Sequence, residues 1–403
     1  MSNYDAVVYG ATGFTGQLVA QYLAAHPQRP KLALAGRSIS KVKGVIDRLT
    51  GIDAARAGEI GVLEASAHDY ASLQRLAASA RVIINTVGPY SLLGGSDVVR
   101  AAAEAGIGYV DLAGESAYVS QIIEAYAARA QETGAVVVPS CGFDALPFDL
   151  TTFLAAQELM RSGHSAGHAI CGYDVRGGVS GGTLASTVNK RNSPAQLYLD
   201  DAYMLCPQKG SSKPLNNVIK LPQFHKFGFP TLFSPHNTRI VFRSWWLLLG
   251  TKDAYGDSFA YDEGHAASSK LAAQISLCSM ATFIWLIVHV TLFGNMIKRY
   301  VPQGTGPSLE TQLNGHLDVR TLVTAHGSSD QAVATLQGKG DPGYYLTARF
   351  ISEAALAIAL DKTRLSPVAQ RGGILTPATI GAAVIAERLS KYGKITIMTR
   401  RSS

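Results

Sequence analysis

Short apolar runs alternate with amphipathic stretches along the first 140 residues of the chain. The apolar runs are nearly continuous, as parallel strands that are buried on both faces require. Predicted strands are Tyr4–Gly10, Lys31–Gly36, Glu59–Ala65, Arg81–Val87, Tyr109–Gly114 and Ala135–Ser140. Predicted helices between them include Phe14–Ala25, Ser96–Ala105 and Ser116–Glu132. Six strands joined by crossovers predict an α/β fold with a doubly wound, parallel Rossmann sheet.

After Asp144 this alternation stops, and no second βαβ series follows. Helical pieces, glycine-rich turns and a polar loop at Gln208–Asn217 predict a second, α+β domain on the substrate side. The last predicted helix, Pro377–Tyr392, is expected to return to the first domain. We therefore expect a Rossmann domain over residues 1–148, an α+β substrate or dimerisation domain over 149–355, and a C-terminal return over 356–403.

One apolar segment, Leu271–Ile297, is long enough to cross a bilayer and is followed by Lys298 and Arg299. Seven polar residues interrupt it, so a buried core helix or a dimer-interface helix fits as well. The aromatic and apolar run Trp245–Leu249 lies upstream. Three alternatives stay open: attachment to a membrane or lipid-droplet surface, a spanning helix, and a core or homodimer-interface helix.

Composition and charge narrow the class of protein. The chain has 403 residues, of which 47% are hydrophobic and 16% charged, so it folds around sizeable cores. Its net charge of +7 is scattered and contains no basic run, which argues against nucleic-acid binding. The four cysteines show neither a disulfide nor a metal-ligand spacing. Because the first strand starts at Tyr4, we expect a cytoplasmic protein without a secretory signal.

The glycine turn after the first strand predicts a dinucleotide site. Gly10 permits a tight turn, Gly13 lets the backbone approach a pyrophosphate, and Gly16 allows the next helix to pack closely on the strand. The helix N-terminus offers N–H groups and a positive dipole end to the phosphates. The remaining expected cofactor contacts in this turn are Thr12, Phe14 and Thr15.

The end of the second strand carries a basic residue where an NAD site usually has an acidic one. The sequence there is Ala-Gly-Arg37-Ser38, with Lys41 one helical turn on. Arg37 can stack on adenine and pair with a 2′-phosphate, although an ordinary surface arginine is the plain alternative. With Ser38 and Lys41 it predicts NADP(H) rather than NAD(H).

The fourth strand ends in a turn that we expect to border the cofactor, because ligands of open α/β sheets bind outside the carboxyl ends of the strands. The expected contacts in this turn are Thr86, Val87, Gly88 and Pro89. Tyr90 follows and is a candidate proton donor, with simple packing as the alternative.

Further polar candidates follow the fifth and sixth strands. Asp111 and Glu115 are candidate catalytic carboxylates, and a helix N-cap is the alternative for Glu115. The expected cofactor contacts after strand six are Cys141, Gly142, Phe143 and Asp144. Asp144 fits a helix N-cap as well, and Cys141 fits a small buried residue.

Together these motifs resemble the saccharopine dehydrogenase-like oxidoreductases. The matching blocks are GATGFTG (Gly10–Gly16), AGRS (Ala35–Ser38), NTVGPY (Asn85–Tyr90), YVDLAGE (Tyr109–Glu115), CGFDALP (Cys141–Pro147), SGGTLAS (Ser180–Ser186), GDPGY (Gly340–Tyr344) and GGILTP (Gly372–Pro377). The resemblance implies a Rossmann domain to which the C-terminal segment returns, a second α+β domain and a nicotinamide dinucleotide. Members of the family include mycobacterial trans-acting enoyl reductases and eukaryotic proteins of lipid droplets.

The leading functional hypothesis is NADP(H)-dependent reduction of an activated C=C bond in a hydrophobic lipid or polyketide-type substrate, with Tyr90 or Glu115 as the proton donor. The apolar segments of the second domain fit a hydrophobic substrate better than saccharopine, which is charged. The alternatives are an imine reductase of an amino-acid-derived substrate and a lipid-surface dinucleotide-binding protein with little turnover.

Overall fold

The computed structural model describes residues 3–178, 201–293, 296 and 306–402. The chain forms two compact units. The first comprises residues 1–113, 118–143 and 343–394, and the second comprises residues 114–117, 144–342 and 395–403.

The first unit contains a parallel seven-stranded sheet. Its strands are β1 (Tyr4–Tyr9), β2 (Leu32–Gly36), β3 (Gly61–Glu64), β4 (Ala80–Asn85), β5 (Gly108–Asp111), β6 (Val136–Val138) and β13 (Gly373–Ile374). They lie in the order β13-β6-β5-β4-β1-β2-β3, which contains the doubly wound order 3-2-1-4-5-6. The predicted Rossmann sheet is therefore confirmed, with β13 as a seventh strand that the sequence did not predict.

Helices connect these strands. They are α1 (Phe14–Ala24), α2 (Ile39–Ile46), α3 (Ala54–Glu59), α4 (Tyr70–Ser79), α5 (Gly95–Ala105) and α6 (Ser116–Thr133). The apolar residues of β1, β2 and β4 are fully buried because each strand has neighbours on both sides and packed layers on both faces.

The C-terminal part of the first unit packs on this sheet. Its helices are α11 (Thr347–Leu360), α12 (Pro367–Gln370) and α13 (Pro377–Lys391). Helix α11 contacts β1, β4, β5 and α1, and nearly all of its side chains are buried. The predicted return of the C-terminal segment to the Rossmann domain is thus observed.

A buried ion cluster attaches this return to α1. The carboxylate of Glu353 accepts hydrogen bonds from Arg388 Nε at 2.8 Å and from the Tyr22 hydroxyl at 2.5 Å, and it lies 3.0 Å from His26 Nε2. Arg388 also donates to Asp361 Oδ2 at 2.7 Å. A buried carboxylate needs such partners, since an isolated buried charge is strongly destabilising.

The second unit contains a mixed seven-stranded sheet in the order β14-β12-β11-β7-β10-β9-β8. Its strands are β7 (Ala166–Arg176), β8 (Ile219–Leu221), β9 (Lys226–Phe229), β10 (Ala260–Ala267), β11 (His316–Ala325), β12 (Gln331–Lys339) and β14 (Ile395–Ser402). Its helices are α7 (Leu146–Met160), α8 (Ser234–Leu248), α9 (Lys270–His289) and α10 (Leu309–Asn314). Strands β7 and β10 are parallel, and the other pairs are antiparallel. The predicted α+β character of this unit is confirmed.

The end of the chain divides between the two units. Residues up to Lys394 belong to the first, whereas β14 pairs with β12 at the edge of the second sheet. The segment 356–403 that we expected to return to the Rossmann domain therefore contributes to both units.

Helix α9 covers most of the apolar segment that the sequence singles out. Among the described residues, it is the one helix long and apolar enough to cross a membrane, over Lys270–Ile287. Only 17% of that window is buried, which excludes the alternative of a buried core helix.

Candidate dinucleotide-binding site

The glycine turn between β1 and α1 has no room for side chains at two of its three glycines. Gly10 has φ +88°, and a Cβ there would lie 2.6 Å from the Val87 side chain. A Cβ on Gly16 would lie 2.2 Å from the carbonyl oxygen of Gly10. Glycine is therefore required at both positions, for the turn and for the close packing of α1 on β1.

The outer part of this turn is open to solvent. Thr12 and Gly13 are exposed, whereas Ala11 is fully buried. Gly13 is the N-cap residue of α1 and brings no side chain to cap the helix. The first turn of α1 thus presents its N–H groups and the positive end of its dipole beside Gly10 and Gly13, which have no Cβ atoms. This is the surface that a pyrophosphate needs.

Thr86, just after the end of β4, is hydrogen-bonded to the backbone of the glycine turn. Its hydroxyl donates to the carbonyl oxygens of Tyr9 at 3.0 Å and Gly10 at 3.2 Å. The backbone N–H of the next residue, Val87, donates to Asn85 Oδ1 at 3.0 Å. Thr86 and Val87 therefore lie against the glycine turn, as the strand-end argument predicts.

Arg37 lies at the carboxyl end of β2 with its side chain exposed. Within the described residues, neither Arg37 nor Lys41 forms an ion pair. Ser38 caps α2 by accepting a hydrogen bond from the N–H of Lys41 at 3.4 Å. The sheet edge beside the glycine turn thus offers a guanidinium that can pair with a phosphate, and the Ser38 hydroxyl helps to fix the helix that follows.

A buried polar network joins the ends of β4 and β5. Asp111 is fully buried, and its carboxylate accepts hydrogen bonds from the N–H groups of Ala113 and Ser140, both at 2.9 Å, and from the Tyr109 hydroxyl at 2.9 Å. Asn85 Nδ2 donates to the same hydroxyl at 3.1 Å. Burial raises the pKa of Tyr109 well above its usual value. The network fixes the backbone where these strands end.

The Tyr90 hydroxyl likewise forms hydrogen bonds with backbone groups. It donates to the carbonyl oxygen of Asn85 at 3.0 Å and accepts a hydrogen bond from the N–H of Leu112 at 3.0 Å. The side chain is 6% exposed, and its ring stacks on Tyr118 at a centroid distance of 5.6 Å. The geometry gives this residue a role in joining the turn after β4 to the turn after β5.

The segment after β6 is closely packed. Cys141 is fully buried, and its N–H donates to the Asp111 carbonyl oxygen at 2.8 Å. A Cβ on Gly142 would lie 2.9 Å from the Leu112 side chain. The N–H of Phe143 donates to Thr347 Oγ1 at 2.9 Å. The alternative of an N-cap at Asp144 is not observed, because the N-cap of α7 is Ala145, without a side-chain cap.

Two residues of the first unit, Tyr344 and Thr347, were not predicted as site residues, and both fall in the range 149–355 that we expected to form the second domain. Tyr344 packs its ring edge-to-face on Phe14 of the glycine turn, with centroids 5.4 Å apart. Thr347 holds Phe143 as described above. Tyr344 lies in a single π-helical turn, Pro342–Leu346, and Thr347 directly follows that turn. Such turns often mark functional positions. The block GDPGY, which ends in Tyr344, was the available signal.

The remaining candidates lie in the second unit. Glu115 directly precedes α6 and is 8% exposed, and Asp144 is half-buried beside Gly114. The block Ser180–Ser186 lies outside the described residues.

Glu263 of β10 is a buried acid that the sequence did not single out. It accepts hydrogen bonds from Asn237 Nδ2 at 3.1 Å and from the Tyr261 hydroxyl at 2.9 Å. Burial raises the pKa of Glu263 to about 7, although these hydrogen bonds act in the opposite direction. This acid is therefore partly protonated near neutral pH.

Comparisons with known proteins agree with this geometry. Residues 6–138 match the family model of the saccharopine dehydrogenase NADP binding domain. A "Putative trans-acting enoyl reductase" of Mycobacterium tuberculosis is 36% identical, over 99% of this chain and 98% of its own length. A "Trans-acting enoyl reductase" of Mycobacterium bovis is 32% identical over the same shares.

Among solved structures, the apo saccharopine dehydrogenase (L-Glu forming) of Saccharomyces cerevisiae matches with a TM-score of 0.56. It covers 99% of both chains at 15% sequence identity, which establishes a shared fold. The residues around the glycine turn fit a dinucleotide, because Gly10 and Gly16 leave no room for a Cβ and the α1 N-terminus has no side-chain cap. The chain belongs to the saccharopine dehydrogenase-like oxidoreductases that include the mycobacterial trans-acting enoyl reductases, and it is an NADP-dependent oxidoreductase.

Proposed function

We propose that this protein reduces the activated C=C bond of a hydrophobic acyl substrate with NADPH. The observation that carries the proposal is similarity at 32–36% identity over 99% of the chain to proteins named trans-acting enoyl reductases. A likeness over this length includes the second unit as well as the dinucleotide domain.

Three described arginines of the second unit, Arg239, Arg243 and Arg320, bind groups within that unit, which fits a substrate without several carboxylates. Arg239 Nε donates to the Asp201 carbonyl oxygen at 2.9 Å, and Arg243 Nη1 donates to the Leu205 carbonyl oxygen at 2.6 Å. Arg320 pairs with Asp318 at 2.6 Å. These guanidiniums stabilise the unit itself. A saccharopine-type substrate needs arginines that are available to its charged groups.

NADPH supplies the hydride when it is bound. The glycine turn and the α1 N-terminus would hold its pyrophosphate, and Arg37 with Lys41 would pair with its 2′-phosphate. The turn Thr86–Pro89 would border the cofactor, as would the segment Cys141–Asp144. Tyr344 packs on Phe14 at the start of α1 and so helps to hold the residues of the glycine turn in place.

Reduction of a C=C bond also needs a proton at the carbon next to the carbonyl group. Glu115 is the candidate we retain for the proton donor. We assign Tyr90 and Asp111 to positioning, because their polar atoms already hold backbone groups of the turns after β4, β5 and β6. This assignment follows from their geometry and is a change from the expectation based on the sequence.

The experiment is a comparison of NADPH oxidation with three substrate classes: α,β-unsaturated acyl thioesters of increasing chain length, cyclic and linear imines of amino acids, and ketones. We expect turnover with the thioesters and a rise in kcat/KM with chain length. Turnover confined to imines would establish the alternative reductase. Binding of NADPH without turnover on any of the three would favour a dinucleotide-binding protein of a lipid surface.

A further inference from the structure

Helix α9 is attached to the second unit by one narrow face. Ala273, Ile284 and Ile287 are buried on that face, and Ile284 packs with Leu232 and Met280. The helix contacts β9 and the adjacent strand β10. The helix is thus held lengthwise against the unit, and the rest of its circumference lies outside the core.

The outer face of α9 exposes large apolar side chains beside the polar Gln274, Ser279 and Thr282. Leu271, Ile275 and Trp285 are 66%, 59% and 54% exposed. Their positions, with Cys278 and Thr282 between them, repeat at intervals of three and four residues, so they form one stripe along the helix. Leu292, beyond the helix end, continues the apolar exposure at 80%. Exposed apolar surface of this extent marks an interaction site.

The charged residues of the sequence segment that contains this stripe have one sign. Between Glu263 and Glu310 the sequence contains no acidic residue, whereas Lys270 begins the helix and Lys298 and Arg299 follow the apolar segment. A second copy docked through this stripe would find no acidic residue between Glu263 and Glu310 to pair with its own cations. An anionic lipid surface matches both the apolar stripe and the cationic sequence positions before and after it.

The geometry favours a position in the plane of the membrane. Because one face of α9 is packed against the unit, lipid cannot surround the helix as it surrounds a spanning segment. A helix that lies in the interface buries its apolar face among the acyl chains and leaves its opposite face on the protein. Trp285 is of the residue type that is enriched at membrane interfaces.

We propose that the stripe Leu271–Ile275–Trp285 of α9 inserts into the surface of a bilayer that contains anionic phospholipid. This interaction is independent of the proposed reaction. It would place the second unit at the surface where hydrophobic acyl substrates are found.

The test is flotation of the full-length protein with vesicles of phosphatidylcholine and phosphatidylglycerol, beside vesicles of phosphatidylcholine alone. We expect the protein to float with the anionic vesicles and to be released by salt. Ile275→Glu and Leu271→Glu should each weaken the apparent partition coefficient at least about tenfold, because each places a charge among acyl chains. Leu309→Glu is the matched control, since Leu309 is 68% exposed in another helix of the same unit.

Tryptophan fluorescence supplies a second readout. The difference between the spectra of the parent protein and Trp285→Phe isolates Trp285, and its emission should shift to the blue when anionic vesicles are added. The proposal is overturned if the protein does not float and Trp285 does not shift. It is also overturned if Ile275→Glu converts a dimer into a monomer while lipid binding is absent, or if both vesicle types bind equally well.

Discussion

The Tyr90 hydroxyl accepts a hydrogen bond from the backbone N–H of Leu112 at 3.0 Å. The two residues lie in the turns after β4 and β5, at the edge of the sheet where the dinucleotide is expected. Because the same hydroxyl donates to the Asn85 carbonyl oxygen, it fixes the distance between two turns that shape the site. A tyrosine in this arrangement acts on the reaction through the backbone that it holds.

Replacement of Tyr90 by phenylalanine tests this assignment. The change leaves the Leu112 N–H without this acceptor, and we expect a loss of about 1–3 kcal/mol in the free energy of unfolding. We expect kcat to fall with no change in the shape of its pH profile. Urea denaturation and the pH dependence of kcat measure the two effects. Tyr126→Phe is the control, because the Tyr126 hydroxyl contacts Ser96 on the surface of two helices.

A proton donor would behave differently. Its loss lowers the rate by about 10²–10⁴-fold and removes one limb of the pH profile. That result for Tyr90→Phe, together with unchanged stability, would restore Tyr90 as the donor.

Arg37→Ala should reduce the preference for the phosphorylated cofactor. Loss of charge-assisted hydrogen bonds to a 2′-phosphate costs about 1.5–3 kcal/mol, so the Kd for NADPH should rise about tenfold or more, while the Kd for NADH stays the same. Titration of protein fluorescence with each cofactor gives both constants. Arg75→Ala replaces a 70% exposed arginine of the same unit and should change neither. An equal rise of both constants would show that Arg37 contacts a part that the two cofactors share.

Gly16→Ala should separate α1 from β1. The new Cβ would meet the Gly10 carbonyl oxygen at 2.2 Å, and backbone atoms cannot move away as a side chain can. We expect a loss of at least about 1–3 kcal/mol in stability and a weaker affinity for NADPH. Gly58→Ala, in α3 with no atom within 4 Å of the new Cβ, should be neutral or slightly stabilising. Calorimetry gives the melting temperatures of the two variants. Equal melting temperatures would contradict the claim that α1 packs too closely on the Gly10 carbonyl group to admit a Cβ at Gly16.

Glu353→Ala should be the most destabilising of these changes. It leaves Arg388 and His26 buried without their carboxylate, which costs about 3–5 kcal/mol. Glu387→Ala breaks an ion pair with Arg364 whose partners are about half exposed, and it should cost at most about 1 kcal/mol. Chemical denaturation of both variants makes the comparison. Similar losses would mean that the buried cluster does not hold the C-terminal return in place.

Glu263 gives the protein a predicted dependence of stability on pH. Its pKa is raised by burial to about 7 in the folded protein, against 4.5 for an unperturbed glutamate. Between these two values the folded state binds more protons than the unfolded state, so this residue makes the free energy of unfolding fall as the pH rises from about 4.5 to 7. Glu263→Gln should flatten the dependence in that window. An unchanged slope in the variant would contradict the assignment.

Local chemistry explains why so much of the first unit could be predicted. The structure around β1 depends on residues that are close together in the sequence. These are the glycines Gly10 and Gly16 of the turn and the buried valines and alanines of the strand. The strand order then follows from the handedness of βαβ connections. Since ligands of such sheets bind outside the carboxyl ends of the strands, the expected dinucleotide contacts could be placed at that edge from the sequence.

Contacts between distant positions explain what the sequence could not show. Thr347 meets Phe143 across 204 residues, and Glu353 binds Tyr22 of α1, His26 after that helix and Arg388 of α13. The Tyr90 hydroxyl could have faced a substrate or a backbone group, and a residue pattern does not distinguish the two. Likewise, the composition of α9 suited a core helix, and only the exposure of Leu271 and Trp285 excludes that alternative.

The most direct test of the proposed reaction follows the hydride itself. The protein is incubated with NADPH that carries deuterium at the transferred position and with a long-chain α,β-unsaturated acyl thioester, and the product is analysed by mass spectrometry. We predict one deuterium at the carbon β to the carbonyl group and a saturated product. Deuterium found only in the amine formed from an imine substrate, with the thioester recovered unchanged, would contradict enoyl reduction.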